Sequence, residues 1–488
     1  MQDYLTLLRN RPMFTEDHSP AALSMRVRPF RSMLLPSALM VAALIAAPPP
    51  LAAQRADSAP GTAAQILDDL VRTALERNLS LARQRLTAGQ AASGVRQARG
   101  VLLPTLAVDA RYSEFSGVVN IGDFINPAYA ALNQLIGENR FPTNVAATLP
   151  FRQESRLRAT QLVYNQAAIE QWRLARTLYG VSRAQQEQAA RQLAADIQLA
   201  WLGLAGAARV VDVYAASLTV LDENERVADR LVANGQGTVD AVYRARADRA
   251  ELAQQLADAE QQRDAARRLL NLLIDRDPDT PVAVVDDSSL VRALPTDRDA
   301  TLRDALTRRE ELEQAALGVD AATRQLRLAS SAFLPSVALA ADWGIQGDRY
   351  RFDGSGNVAV ASLVFQWNLF NGGQDAARRE QATLERRKAS LLQREAERQI
   401  TLQVAQAWDA ARVAERALAT AAARLEAARR SFTLVTRRYE EGLAPHVEYV
   451  ASRASFTQAE LNAVLTRFTY AARRVELERA AALRALTP

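Results

Sequence analysis

Two carboxylates occupy equivalent positions at the starts of two predicted helices. Asp240 follows the Gly235 reversal and Glu448 follows the Gly442 reversal, and the segments Asp240-Ala-Val242 and Glu448-Tyr-Val450 lie 208 residues apart. An acid in the first turn of a helix is favoured by the helix dipole, which is the simplest interpretation of both residues. An acidic site that attracts cations is the alternative.

Residue types that perform catalysis are scarce. The sequence has no cysteine, which removes disulfides, thiol catalysis and Cys-based metal sites, and its two histidines are His18 and His446. We find no metal-ligand spacing, nucleophile elbow or phosphate-binding loop. His446 lies at a predicted helix start and is interpreted as a surface residue. We therefore predict no enzyme activity, no cofactor and no metal.

The charge distribution argues against nucleic-acid binding. The formal net charge is +5, but acids and bases alternate along the predicted helices and form solvated faces. Because no basic run contains interleaved aromatic residues, nucleic acid is not an expected partner.

The N-terminus predicts export. Met25 to Arg31 is positively charged, Met33 to Ala47 is apolar, and Leu51-Ala52-Ala53 is a plausible cleavage site. Residues 1–53 are interpreted as an upstream extension and a signal peptide. A retained membrane anchor is the alternative, but the apolar run is short for a membrane span.

The remaining chain is a duplicated unit. Trp201 and Gly235 recur 207 residues later as Trp408 and Gly442, and Leu103-Pro104 recurs as Leu334-Pro335. We place the first repeat at 54–275, a Pro/Asp-rich connector at 276–298 and the second repeat at 299–488.

Long helices dominate the prediction. Helical patterns cover 64–100, 166–232, 239–274, 301–331, 374–440 and 447–486. The helix at 166–232 would be ~100 Å long at ~1.5 Å per residue. Apolar residues recur every seven positions, as they do in coiled-coil seams: Ile197, Leu204, Val211 and Leu218. In the second repeat, one such row is mostly alanine: Ala407, Ala414, Ala421, Ala428 and Val435. A further short helix is predicted at 128–136 and a short strand at 282–285.

Four segments alternate between apolar and polar residues and predict strands near 106–112, 156–164, 337–345 and 363–369. About ten residues with one apolar face is typical of outer-membrane barrel strands. Four strands are too few to close around a pore, so several chains must contribute. A soluble antiparallel sheet with one solvated face is the alternative.

The chain resembles the TolC-like outer-membrane efflux proteins over nearly all of residues 64–487. The resemblance is carried by both Leu-Pro strand starts, by the Asn368-Leu-Phe370-Asn-Gly372-Gly373 turn, and by the Tyr439-x-x-Gly442 to Glu448-x-Val450 reversal. The first repeat departs from the pattern, with Gln166-Ala167 in place of the glycine pair.

The resemblance implies a homotrimer with a mainly α fold. Twelve strands would form one barrel, and coiled-coil helices would form a tunnel in the periplasm. In this family rings of acidic residues constrict the closed tip, and Glu448 matches one of them. Asp240 holds the equivalent place in the first repeat. Tyr439 matches a tyrosine that helps to hold the tip closed, although its partner is not evident in the sequence. Gly235, Gly442 and Leu443 would lie at the tip, where relatives meet adaptor proteins.

The implied function is the outer-membrane channel of a tripartite efflux or type I secretion system. Its partners would be a periplasmic adaptor protein, an inner-membrane transporter and outer-membrane lipid. A periplasmic adaptor or a coiled-coil scaffold without a barrel is the alternative function.

Overall fold

The computed structural model describes residues 62–114, 120–145, 151–285, 290–347, 350, 354, 356–441 and 443–484. The predicted signal peptide at 1–53 lies outside these residues. The chain divides into Met1–Asp57 and Ser58–Pro488, and every described residue belongs to the second unit.

The two repeats contain their elements in the same order, except that the helix Gly122–Ile136 of the first repeat (α3) has no counterpart among the described residues of the second. The first contains α1 (Ala63–Arg77), α2 (Leu79–Gly100), β1 (Thr105–Tyr112), α3 (Gly122–Ile136), β2 (Gln153–Tyr164), α4 (Gln166–Ala233) and α5 (Val239–Leu273). The second contains α6 (Arg298–Arg308), α7 (Glu310–Ser330), β3 (Ser336–Gly347), β4 (Asn357–Gln366), α8 (Gln374–Glu440) and α9 (His446–Ala480). The described part of the chain is therefore mainly helical, with four strands.

The first helix of each repeat is broken in two, so the prediction of continuous helices at 64–100 and 301–331 is wrong. The breaks fall at Asn78 and Arg309, which both have extended ψ angles. The Asn78 side chain accepts a hydrogen bond from the Leu81 amide and donates one to the Leu273 carbonyl. Arg309 donates to the Ala480 carbonyl at 2.8 Å. Both partners, Leu273 and Ala480, come from distant helix ends, which helical periodicity cannot show.

Other boundaries also differ from the predictions. Residues 282–285 form no strand, since the chain there runs over the Trp201 indole, which donates to the Ala283 carbonyl at 3.1 Å. β4 begins at Asn357 and ends at Gln366, so the alternation of Trp367 and Leu369 is not part of a strand. The indole of Trp367 instead donates to the Phe333 carbonyl. The helix predicted from residue 128 begins six residues earlier, the second strand begins at Gln153, and the last helix ends at Ala480.

The four strands form one antiparallel sheet in the order β1-β2-β3-β4. The register places apolar residues together on one face, where they are exposed: Leu106, Val108, Leu157, Leu339, Trp343, Leu363 and Phe365. The other face of β1–β3 carries linked ion pairs, with Arg158 held between Asp109 at 3.2 Å and Asp342 at 2.8 Å. Within this sheet the outer edges of β1 and β4 have no neighbouring strand.

The core lies along the helix seams. Ile197, Trp201, Leu204 and Phe468 are buried together with residues of α1 and α5, and Trp408 is buried in a second cluster with Tyr470. Both tryptophans therefore mark helix packing. α4 contains the one described stretch that is apolar enough to span a membrane, but its residues from Leu193 to Ala205 contribute to this core.

The helices pack side by side and change neighbours along their length. Nearer the sheet, α4 contacts α2 and α7, and α7 contacts α8. Nearer the reversals, α4 packs along α5, α8 packs along α9, and α4 also contacts α9. Because α4 and α8 contain 68 and 67 residues, each spans ~100 Å at ~1.5 Å per residue. They hold the sheet at one end and the reversals at the other.

Candidate functional site at the helix reversals

The α4–α5 reversal is a compact glycine turn. Gly235 has a φ of 73°, a region that L side chains rarely adopt. Its amide donates to the Val232 carbonyl, and the Gln236 amide donates to the Leu231 carbonyl at 2.9 Å. These bonds satisfy carbonyls at the end of α4, as in the common glycine C-cap. Gly235 is thus explained by turn chemistry, and it lies exposed at the tip.

The α8–α9 reversal is closed by backbone hydrogen bonds to Arg438. The Leu443 amide donates to the Arg438 carbonyl at 2.7 Å, and the Ala444 amide does so at 3.1 Å. Leu443 is largely exposed, whereas Ala444 is buried. Gly442 lies outside the described residues. Pro445 immediately precedes α9, and its carbonyl accepts a hydrogen bond from the Glu448 amide.

The two equivalent acids have different surroundings. The Glu448 carboxylate lies 3.4 Å from Arg438 across the reversal, and its side chain is 39% exposed. Asp240 pairs with Arg244 on its own helix at 2.8 Å and is 66% exposed. Exposed ion pairs contribute at most about 1 kcal/mol, so neither pair accounts for much stability. Glu448 therefore connects α8 to α9, while Asp240 remains a first-turn acid of α5.

Tyr439 has a partner that the sequence does not reveal. Its hydroxyl lies 3.2 Å from Nδ1 of His446, and its ring stacks on Tyr449 with centroids 4.9 Å apart. The interpretation of His446 as a plain surface residue is therefore incomplete, since it is half-buried against this tyrosine. The contact joins the last turn of α8 to the first turn of α9.

The stacking continues along the two helices as an aromatic ladder. Phe432 lies 5.8 Å from Tyr449 and 5.5 Å from Phe456, between ring centroids. Burial raises the pKa of the Tyr449 hydroxyl. The spacing of seven between Phe432 and Tyr439, and between Tyr449 and Phe456, is the sequence signal that could have identified this ladder. These ring contacts join α8 to α9 beside the reversal.

Apolar side chains are exposed around both reversals. They are Val239, Tyr243, Leu443 and Val447. Exposed apolar clusters commonly mark surfaces that bind another protein. No group of three His, Asp or Glu side chains in the described part of the chain could hold a metal ion.

A buried ionic cluster lies far from the reversals, where α4, α7 and the end of α9 meet. Arg191 donates to both oxygens of Glu310, at 2.7–3.0 Å, and to the Arg484 carbonyl at 2.7 Å. Arg309 donates to both oxygens of Glu311, at 2.6 and 2.7 Å. These arginines tie the C-terminal residues of the described chain to the body of the helices.

Comparison with known proteins identifies the same architecture elsewhere. Residues 301–483 match the family model described as "Outer membrane efflux protein". No curated protein matches the chain. The CmeC outer membrane channel of Campylobacter jejuni superposes with a TM-score of 0.73 at 17% identity, covering 86% of this chain and 85% of CmeC.

Two further solved structures agree. The open state of the MtrE outer membrane channel of Neisseria gonorrhoeae gives a TM-score of 0.69 at 22% identity, covering 85% of this chain and 88% of MtrE. The outer membrane protein VceC of Vibrio cholerae gives a TM-score of 0.69 at 18% identity, covering 86% of this chain and 96% of VceC. At identities this low, the structural matches show a shared fold and nothing more. The family model adds a sequence match, and that match lies in the second repeat. Residues 301–483 therefore match the outer membrane efflux protein family, and the chain as a whole shares the fold of these solved outer-membrane proteins.

Proposed function

We propose that this protein is a passive exit duct in the outer membrane, through which an inner-membrane transporter discharges its cargo. The observation that carries the proposal is the join between the sheet and the helices. A sheet with one exposed apolar face, and with a charged opposite face in β1–β3, continues directly into helices ~100 Å long. The apolar face suits lipid and the charged face suits a wet lumen.

The open sheet edges argue for a trimer. Unpaired backbone groups cannot be left in hydrocarbon, so strands cross a membrane only as part of a closed barrel. The free edges belong to β1 and β4, and antiparallel pairing of β4 with β1 of the next chain would continue the sheet. Three chains would supply twelve strands, and their long helices would then surround one tunnel below the barrel.

The reversals would form the inner, gated end of this tunnel. Three copies of Glu448 around one axis would attract cations, and Arg438 beside each carboxylate would moderate that field. Tyr439 would hold the tip through His446 and Tyr449. Asp240, paired along its own helix, would contribute less. The exposed apolar residues at the tip, Leu443 among them, would contact a periplasmic adaptor protein.

Assembly and conductance test the proposal together. Protein extracted from outer membranes with detergent should have the mass of three chains, and it should form ion-conducting pores in planar bilayers. A folded, stable monomer would contradict the trimer. Protein that is released without detergent and forms no pore would favour the adaptor or scaffold alternative.

A further inference from the structure

Helix α3 in the β1–β2 connection carries an exposed apolar stripe that packs against no other part of the described chain. Phe124 is 74% exposed and Leu135 is 84% exposed. With Ala128 and Ala131 they occupy positions spaced by four, three and four residues, which share one face of a helix. An exposed stripe of this kind usually marks an interaction surface.

The opposite face of α3 is already occupied. Asn126 makes two hydrogen bonds to the backbone of Val145, at 2.8 and 2.9 Å, and Asn133 makes two to Phe141, at 2.7 and 2.8 Å. Gly122 approaches the Val145 carbonyl so closely that a Cβ would overlap it. Within residues 120–145, the segment that follows α3 therefore packs against the Asn126 and Asn133 face of the helix. The apolar stripe lies on the opposite face of α3. We call residues 120–145 the α3 hairpin.

The position of this hairpin follows from the topology. α3 joins the ends of β1 and β2 that lie away from the long helices. In the proposed barrel, twelve strands ~4.8 Å apart and tilted by ~40° enclose a mouth about 24 Å across. The six Cα steps from residue 114 to residue 120 reach at most about 21 Å. Each α3 can therefore reach the centre of the mouth.

We propose that the α3 helices of the three chains pack against one another through this stripe, over the outer mouth of the barrel. The inference rests on the proposed trimer. Helices pack 8–10 Å apart, so three of them form a bundle about 20 Å wide, which fits the mouth. Ala128 and Ala131 permit close approach at the centre, and Phe124 and Leu135 cover the two ends.

Charge distinguishes this occupant from the lipid surface. Segments that bind anionic membrane surfaces use Lys and Arg beside their apolar face. Residues 120–145 contain a single basic residue, Arg140, and it is paired with Glu138 at 3.1 Å. α3 carries one acid, Asp123, and no base. A second copy of the same uncharged stripe is a better partner than a phosphate-rich leaflet.

Because the chain has no cysteine, single cysteines test the contact cleanly. In detergent-solubilised trimers, Ala131→Cys and Leu135→Cys should form covalent dimers with a short bis-maleimide. Asn139→Cys, which is exposed in the same hairpin, serves as the control and should not. Leu135→Cys should also react at least ten-fold more slowly than Asn139→Cys with a bulky maleimide.

A second variant separates contact from misfolding. Ala131→Glu would place three carboxylates together and should restore fast labelling of Leu135→Cys, whereas Gln134→Glu, on the flank of α3, should leave it slow. Free labelling of Leu135→Cys in native trimers would overturn the proposal. Protection seen only in intact outer membranes would overturn it in favour of a lipid contact. Mass measurement on the same samples shows whether a failure belongs to the contact or to the trimer itself.

Discussion

The buried pair of Arg191 and Glu310 should be one of the most sensitive points of the helical body. The Arg191 side chain is 15% exposed and the Glu310 side chain 7% exposed, with both carboxylate oxygens bound. Removing one partner of such a pair leaves an uncompensated charge and costs about 3–5 kcal/mol. Arg191→Ala also removes the hydrogen bond to the Arg484 carbonyl, so it should lie at the upper end of that range.

The expected loss can be converted to a melting shift. A folded unit of about 430 residues has an unfolding entropy of ~0.9 kcal/mol/K at ~2.1 cal/mol/K per residue. A loss of 3–5 kcal/mol therefore lowers Tm by ~3–6 °C. Arg183→Ala is a matched control, because Arg183 lies on the same helix and makes an exposed pair with Glu187 at 3.1 Å. Its loss of at most about 1 kcal/mol should lower Tm by ~1 °C.

A double-mutant cycle decides whether the buried charge is the cause. Arg191→Ala combined with Glu310→Ala should be more stable than Arg191→Ala alone, because the uncompensated carboxylate is gone. The assay is thermal unfolding of detergent-solubilised protein followed by circular dichroism at constant protein concentration. If Arg191→Ala melts within 1 °C of the Arg183→Ala control, or if the double variant is no more stable than Arg191→Ala alone, the reasoning is refuted.

Four further outcomes are expected. Glu448→Ala trimers should lose part of their cation selectivity and part of their block by polyvalent cations in planar bilayers. Asp240→Ala trimers should change less. Unchanged selectivity in Glu448→Ala trimers would show that Glu448 is only a helix-start acid. Tyr439→Phe removes the hydroxyl contact with His446 while keeping the ring stack, so its trimers should conduct more at rest, and unaltered resting conductance would exclude a holding role. Burial alone would raise the pKa of Glu311, but the hydrogen bonds and the charge of Arg309 outweigh burial and lower this pKa below its ordinary value. The ionised Glu311 carboxylate therefore contributes its full stability above about pH 4.5, and this stability is lost as the pH falls through the folded pKa. Glu311→Gln should flatten the acid limb of a Tm-against-pH curve. A tag inserted near Asn139 should bind antibody on intact cells, and binding only after permeabilisation would reverse the topology.

The duplicated plan and most of the helices and strands can be read from the amino-acid pattern alone. Period-seven and period-two patterns reflect which faces are buried, and burial is a local requirement that each helix or strand must satisfy wherever it packs. The long helices and the four strands follow from such patterns. The Gly372-Gly373 turn, with φ angles of 56° and 80°, follows instead from the backbone freedom of glycine. The resemblance drawn from these motifs agrees with the family match to the second repeat.

Features that depend on distant partners could not be predicted from the sequence and are seen only in the folded chain. The breaks at Asn78 and Arg309 exist because their side chains bind backbone carbonyls from remote helix ends, and no local pattern encodes those partners. Likewise, Glu448 and Asp240 look equivalent in sequence. The fold pairs Glu448 with Arg438 across a reversal and leaves Asp240 on its own helix. Periodicity reports which face of an element is buried, whereas the choice of partner is made when the elements pack together.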